Sequence, residues 1–354
     1  MSSPLWAVLP GSIDDPAAPS GGNRYDRIVL NLLSGAASPQ DGLAVPTRPV
    51  YEVAVDGSWP TPDAEARESL ARALSDIPDS ADALLDGLVA CGVPEILAPH
   101  KKRLRLIVLV HLPLSDETGL SPALAADLRA RERATLHMAA TVVATSKAAA
   151  KRLSDMHELP RKNVKVVEPG VSPAEPAVPD KSGKRLLCVA AVTPRKGQDL
   201  LVAALERHLA DLAWTCVLAG RVVTPVSHTS KDVHFVGPLQ GTALDNAYGK
   251  SDLLVLPSRN ETYGMVVTEA LAHGVPVIAT AVGGVPEALG VAPNGARPGI
   301  LIPPDDPKAL AAALRAWLTD AALRDRLRAA AMARRATLPT WDDTARRLSQ
   351  VLDA

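Results

Sequence analysis

RNETYGMVVTEALAHGVPV, residues 259–277, sets two glutamates eight positions apart across a loop-to-helix junction. Glu261 stands beside Gly264, and Glu269 lies inside an apolar helical pattern carried by Val266, Val267, Ala270 and Leu271. The pattern ends at a Gly-Val-Pro-Val entry into a strand, so the segment reads as loop, helix and strand in succession. Such a loop-to-helix junction aims unpaired backbone amides and the positive end of a helix dipole at one place, a site suited to an anion such as a diphosphate. Counted as helix, the step from Glu261 to Glu269 advances about 12 Å. That exceeds the roughly 5 to 10 Å of a carboxylate pair sharing one scissile bond, and it is close to the span of a nucleotide sugar.

Outward from this stretch, short apolar runs alternate with helical patterns through the chain, the signature of a parallel sheet wound with helices on both faces. Strands are expected at 5–10, 50–55, 83–89, 104–111, 141–145 and 164–168, and again at 185–192, 214–219, 233–236, 252–257, 275–280 and 299–303. Six and six make two similar sheets. Residues 170–183, with prolines at 173, 176 and 179, read as a stiff polar linker between them. The expected division is residues 1–170, residues 171–338, and a final helix at 339–354. Two helical patterns run from Pro307 to Arg335 with a break near Thr319, and Thr340 followed by Asp343 resembles a capping box that starts the last helix through Leu352.

At 354 residues the chain exceeds what a single core of about 250 to 300 residues accommodates. The core is aliphatic, with one Phe. A net charge of −1 argues against nucleic acid as a partner. The one dense basic run, His100, Lys101, Lys102, Arg103 and Arg105, reads first as a solvated turn before a strand, with contact to an anionic membrane or acidic acceptor as the minor reading. Cys91, Cys188 and Cys216 are widely spaced in apolar contexts and read as buried thiols of a reducing compartment. With neither a signal-like N-terminus nor an apolar run of spanning length, the expected location is the cytoplasm.

The residues around the two glutamates resemble retaining glycosyltransferases of family 4. Pro257, Ser258, Glu261, Tyr263, Gly264, Thr268, Glu269, Ala270, Gly274, Pro276 and Val277 follow that family's Glu, seven residues, Glu pattern, and Gly283-Gly284 supplies its later turn. The resemblance implies the GT-B fold, two Rossmann-like domains with parallel sheets facing a central cleft and a C-terminal helix crossing back to the first. It also implies a nucleoside-diphosphate-sugar donor, of uridine or guanosine type, and a small-molecule or glycan acceptor. Without an Asp-x-Asp triplet to clamp diphosphate through a divalent metal, no metal and no cofactor are expected. Alternatives are a nucleotide-sugar 2-epimerase and a catalytically degenerate nucleotide-sugar-binding partner subunit.

Within this reading Arg195 and Lys196, at a strand-to-helix turn in Thr193-Pro194-Arg195-Lys196-Gly197-Gln198-Asp199, clamp the leaving diphosphate. Ala191 stands where many members carry a further Arg. Truncating Lys196 at such a polar turn is expected to leave stability unchanged. Gly264, Met265 and Val266 offer amides to the diphosphate, Glu269 takes the ribose hydroxyls and Glu261 orients the sugar. In the first half, Pro19, Ser20, Gly21, Gly22, Asn23, Arg24, Tyr25 and Asp26 are expected to form a loop, with Gly21 and Gly22 permitting close approach to the donor. Asn23, Tyr25 and Asp26 are candidate acceptor contacts. His111, at the carboxyl end of the strand IVLVH, is the candidate partner of the donor sugar. After Gly220 the chain reaches Val233 over a segment shorter than is common in the family, near the expected base pocket.

Overall fold

The structure, a computed structural model, describes residues 3–16 and 20–354. The chain divides into two compact units, Met1–Gly170 with Thr340–Ala354, and Val171–Pro339.

In the first unit six parallel strands run in the order β2-β1-β3-β4-β5-β6. They are β1 Leu5–Pro10, β2 Val50–Val55, β3 Asp82–Asp86, β4 Arg105–Val110, β5 Thr141–Ala144 and β6 Val164–Val166. The inner strands DALLD and TVVA are buried at every position, as expected where helices cover both faces of a parallel sheet. The run expected as a strand at 83–89 is shorter: Asp86 accepts the Leu88 amide at 2.7 Å and turns Gly87–Ala90 into a helical turn. Strand order reverses between β1 and β3, because the chain leaves β1 for β2 on one side and returns to β3 on the other. The carboxyl ends of β1 and β3 therefore flank the switch point at which open parallel sheets bind ligands.

The second unit repeats the plan in the order β12-β11-β10-β7-β8-β9. Its strands are β7 Arg185–Val189, β8 Thr215–Ala219, β9 Val233–Gly237, β10 Leu253–Leu256, β11 Val277–Thr280 and β12 Gly299–Ile302. Here the switch point lies between β7 and β10. The expected extension of β7 to residue 192 is reduced to an isolated bridge between Val192 and Val222. The helices Pro307–Thr319 and Ala321–Arg335 are separated at Asp320, whose Oδ1 accepts the Leu323 amide at 2.9 Å and caps the second.

The last helix, Trp341–Leu352, belongs to the first unit. Thr340 and Asp343 form the reciprocal capping box. Trp341, Ala345, Leu348 and Leu352, at helical spacing, are buried against the Gly21–Ser34 helix. Arg48 donates to Ser349 Oγ and Asp353 Oδ1, both at 2.9 Å, and Thr344 donates to the Glu168 carbonyl at 2.9 Å. Arg103 and Arg105 of the basic run are spent inside the unit: Arg103 on the Ile77 and Leu74 carbonyls, Arg105 on Leu352. Cys91, Cys188 and Cys216 are free and buried.

Candidate active site

In the second unit the chemistry gathers at the carboxyl ends of β7 and β10, the two strands that flank its switch point. After β7 the chain forms a short turn, Pro194–Lys196, and Gly197, at φ 71°, leads into the helix Gln198–His208. After β10 comes Pro257-Ser258-Arg259-Asn260-Glu261. Because β7 and β10 are neighbours, the two loops meet: Lys196 Nζ donates to Glu261 Oε1 at 2.6 Å, and Ser258 Oγ donates to the same oxygen at 2.8 Å. The Lys196 and Glu261 side chains are only 18% and 7% exposed. The burial of this pair weighs against the expectation that truncating Lys196 changes stability little, since removing the lysine strands a buried carboxylate.

Arg259 reinforces the junction. Its guanidinium donates to both Asp199 oxygens at 2.8 Å, to Asp305 at 2.6 Å and to the Pro194 carbonyl. The Asp199 hydrogen bonds are the main reason that its proton is held more tightly than in a free arginine, against the opposing pull of burial. Its backbone amide meets the Arg195 carbonyl at 2.8 Å. Arg195 Nε is buried without a hydrogen-bond partner. On the far side, Gly283 lies at φ 48°, and a Cβ there would come within 1.6 Å of the Glu261 carbonyl oxygen. Only glycine can hold that turn against Glu261.

Gly264, at φ 94°, caps the helix Met265–Ala272 without a side chain to occupy its first amides. The helix begins only there, so a helical rise does not apply to the whole step from Glu261 to Glu269; the loop residues 262–264 set that separation. Glu269, 9% exposed, accepts from the Tyr248 hydroxyl at 2.8 Å. Beneath the pair lies Cys188, its thiol pushed up to about 12 chiefly by burial, with the Lys196 charge opposing and the Glu261 charge assisting.

In the first unit the stretch expected as a loop is helical. Ser20 caps the helix Gly21–Ser34 by accepting the Asn23 amide at 3.0 Å, an N-cap signal that the Gly-Gly pair concealed. Pro19 lies outside the described residues. Gly22 is needed for an internal reason, since a Cβ there would lie 2.9 Å from the His111 ring. Asn23 Nδ2 donates to the Ser12 carbonyl at 3.2 Å. Tyr25 is buried in the core, its hydroxyl on the Val167 carbonyl at 3.2 Å and its ring edge-on to His111 and Trp341. Burial, then the Asp26 charge, holds its phenol far above the ordinary range.

His111 follows β4 directly, and its Nε2 lies 2.8 Å from Asp26 Oδ1. Asp86, the last residue of β3, completes a group in which one oxygen or nitrogen from each side chain lies within 4.8 Å of the others. Sequence reasoning passed over Asp86, Tyr248 and Arg259. For Asp86 the sequence signal was hidden, because the apolar run carries on past it to residue 89; in the structure it ends β3, one of the two strands that flank the switch point.

Residues 183–320 match the family described as glycosyl transferases group 1. That segment is a group 1 glycosyltransferase domain. The D-inositol 3-phosphate glycosyltransferase of Nocardioides is 31% identical over 260 residues, 63% of this chain and 54% of that protein. Its counterpart from Kineococcus radiotolerans is 33% identical over 248 residues, 60% of this chain and 57% of that protein. The chain thus spans little more than half the length of these relatives. Among solved structures, sucrose-phosphate synthase from Thermosynechococcus elongatus superposes with a TM-score of 0.73 at 20% identity, covering 99% of this chain and 98% of that one. Anabaena HepE in complex with UDP and glucose reaches 0.70 at 15% identity over the full length of both. The fold is therefore GT-B. The group 1 domain includes the Lys196–Glu261 pair, Glu269 and Gly283, whereas Asp26, Asp86 and His111 lie outside it. No helix among the described residues is long and apolar enough to cross a membrane.

Proposed function

We propose that the chain transfers a sugar from a nucleoside-diphosphate sugar to an acceptor, with retention and without a divalent metal. The observation that carries this reading is the buried Lys196–Glu261 contact at 2.6 Å between the ends of β7 and β10, inside the group 1 domain. A carboxylate with its cation, set at a switch point beside an open helix N-terminus, suits a substrate with a polar sugar and an anionic diphosphate. Lys196 and Arg195 neutralise the charge that grows on the diphosphate as the glycosidic bond lengthens. Gly264, Met265 and Val266 turn their amides to the phosphates. Glu269 receives the ribose hydroxyls in exchange for, or beside, the Tyr248 hydroxyl. Glu261, fixed by Ser258 and Lys196, orients the sugar, and His111 supplies a polar contact to a reactant oxygen.

Because no carboxylate stands free as a covalent nucleophile among these residues, the reading favours same-face displacement assisted by the departing phosphate. A uridine nucleotide is the first donor to try, since HepE carries UDP and glucose. The test is a thermal-shift panel of uridine, guanosine, adenosine and thymidine diphosphate sugars, followed by release of nucleoside diphosphate with and without excess chelator. Ligand binding raises the melting temperature by mass action. If no diphosphate sugar stabilises the protein at millimolar concentration, the donor-binding reading fails.

A further inference from the structure

We propose that Asp26 and Asp86 are positioning residues that hold His111 as an imidazolium, so that the group His111 offers to a reactant is a hydrogen-bond donor and not a base. This deepens the transferase reading and rests on it for its role in turnover. The geometry comes from three neighbouring strands of the first unit. Asp26 is on the helix after β1, Asp86 ends β3, and His111 follows β4. The Asp26 side chain is 3% exposed and Oδ1 is 2.8 Å from His111 Nε2. A buried carboxylate at that distance is an acceptor, so Nε2 carries a proton and donates it. Asp26 Oδ2 is buried with no donor to meet it, and Asp86 brings a second carboxyl into the same small space.

Two acids in so little volume repel one another unless a positive charge or a proton is supplied, and among the described residues the cation that acts on Asp86 is His111. His111 is the group placed to supply the charge. Tyr25, from the same helix as Asp26, is held neutral by burial and then the Asp26 charge, and Cys91, beyond the turn after Asp86, by burial, then the Glu132 charge and then that of Asp86; neither adds a cation. For His111 itself burial opposes the charge, but Asp26 and then Asp86 outweigh it and move the ring up to about 9. Asp86 is pushed up to about 6, first by burial and then by the Asp26 charge. Through the neutral range the ring is therefore the charged member that faces the two acids.

The chemical consequence lies at Nδ1. In a neutral ring with its proton on Nε2, Nδ1 is a lone pair and could take a proton from an acceptor hydroxyl. In the imidazolium Nδ1 carries hydrogen and can only donate, to a hydroxyl or phosphate oxygen. The two acids therefore exclude His111 from the role of general base over the neutral range.

The deciding measurement is the ring-nitrogen spectrum of the full chain labelled with nitrogen-15 in histidine, from pH 5.5 to 9.5, with His111→Gln identifying the signal. We expect both ring nitrogens of His111 to be protonated at pH 7.5 and to lose one proton about two units above the ordinary histidine value of about 6.5. Asp26→Asn should lower that midpoint by at least about one unit, and Asp86→Asn by less. A wild-type midpoint near the ordinary value overturns the inference, and so do unchanged midpoints in both variants. Loss of the Nε2 proton on adding zinc or magnesium overturns it too, by making the cluster a metal site. The wild-type titration needs neither variant to fold and no substrate, so it stands even if no transfer activity is found. In an active preparation, the alkaline limb of the rate should track the His111 midpoint and move to lower pH in Asp86→Asn. Transfer that persists undiminished with a neutral His111 sinks this inference and leaves the transferase reading intact.

Discussion

Lys196→Ala separates the structural from the chemical work of the pair in the second unit. Removing one member of a buried ion pair costs about 3–5 kcal/mol, because the other charge is left without compensation. Here the low end applies. Ser258 stays bonded to Glu261 Oε1 at 2.8 Å, and the space vacated by Lys196, already 18% exposed, admits water. We expect a loss of about 2–4 kcal/mol, which for a unit of this size lowers the melting temperature by roughly 5–12 °C. In Lys196→Ala/Glu261→Gln the amide keeps the Ser258 contact without a charge, so most of that loss should be regained. Turnover should not recover: a preorganised cation facing a leaving group is worth on the order of a hundredfold or more. Calorimetric melting of wild type, both single variants and the double, alongside single-turnover rates with UDP-glucose as first donor, gives the full cycle. A Lys196→Ala protein that melts within 2 °C of wild type (about 0.5–1 kcal/mol at this size), or a double variant no more stable than it, would refute the buried-pair argument.

Three further outcomes follow from the same geometry. Glu269→Gln should weaken UDP binding in calorimetry, while Glu261→Gln should lower turnover more than UDP affinity; equal affinity losses would show that the two acids do not divide the donor between them. Gly283→Ala should destabilise the second unit by at least about 2 kcal/mol, since it adds a side chain at positive φ directly against the Glu261 carbonyl; a normal melting curve would contradict this. Transfer should persist in excess chelator, and loss of activity that magnesium or manganese restores would disprove metal independence.

The sheets were legible because burial on both faces leaves near-continuous apolar runs such as IVLV and LLVL, which no surface segment imitates. The strand ends were less so. Asp86 and Asp320 each stop one element and cap the next through a side-chain oxygen, and that competition is decided by local geometry rather than by apolar pattern. The candidate site was legible where a single segment carries it, at Glu261, Gly264 and Glu269. It was not where partners come from distant segments: 65 residues separate Lys196 from Glu261, and 85 separate His111 from Asp26. Gly22 shows the same limit. Its sequence context pointed to a ligand, and the neighbour it accommodates is the chain's own imidazole.

The first unit is assembled from two separate segments, Met1–Gly170 and Thr340–Ala354, whereas the second is one uninterrupted segment. Vectorial synthesis thus meets an inverted order. Domains generally fold as units, the N-terminal one first, during elongation, but here the leading unit must wait for the fifteen residues Thr340–Ala354 before Trp341, Ala345, Leu348 and Leu352 can cover the Gly21–Ser34 helix. The trailing unit has everything it needs earlier. A chain ending at residue 339 would carry every residue of the second unit together with a first unit whose Gly21–Ser34 helix lacks its apolar cover, a species that a holdase chaperone is expected to bind.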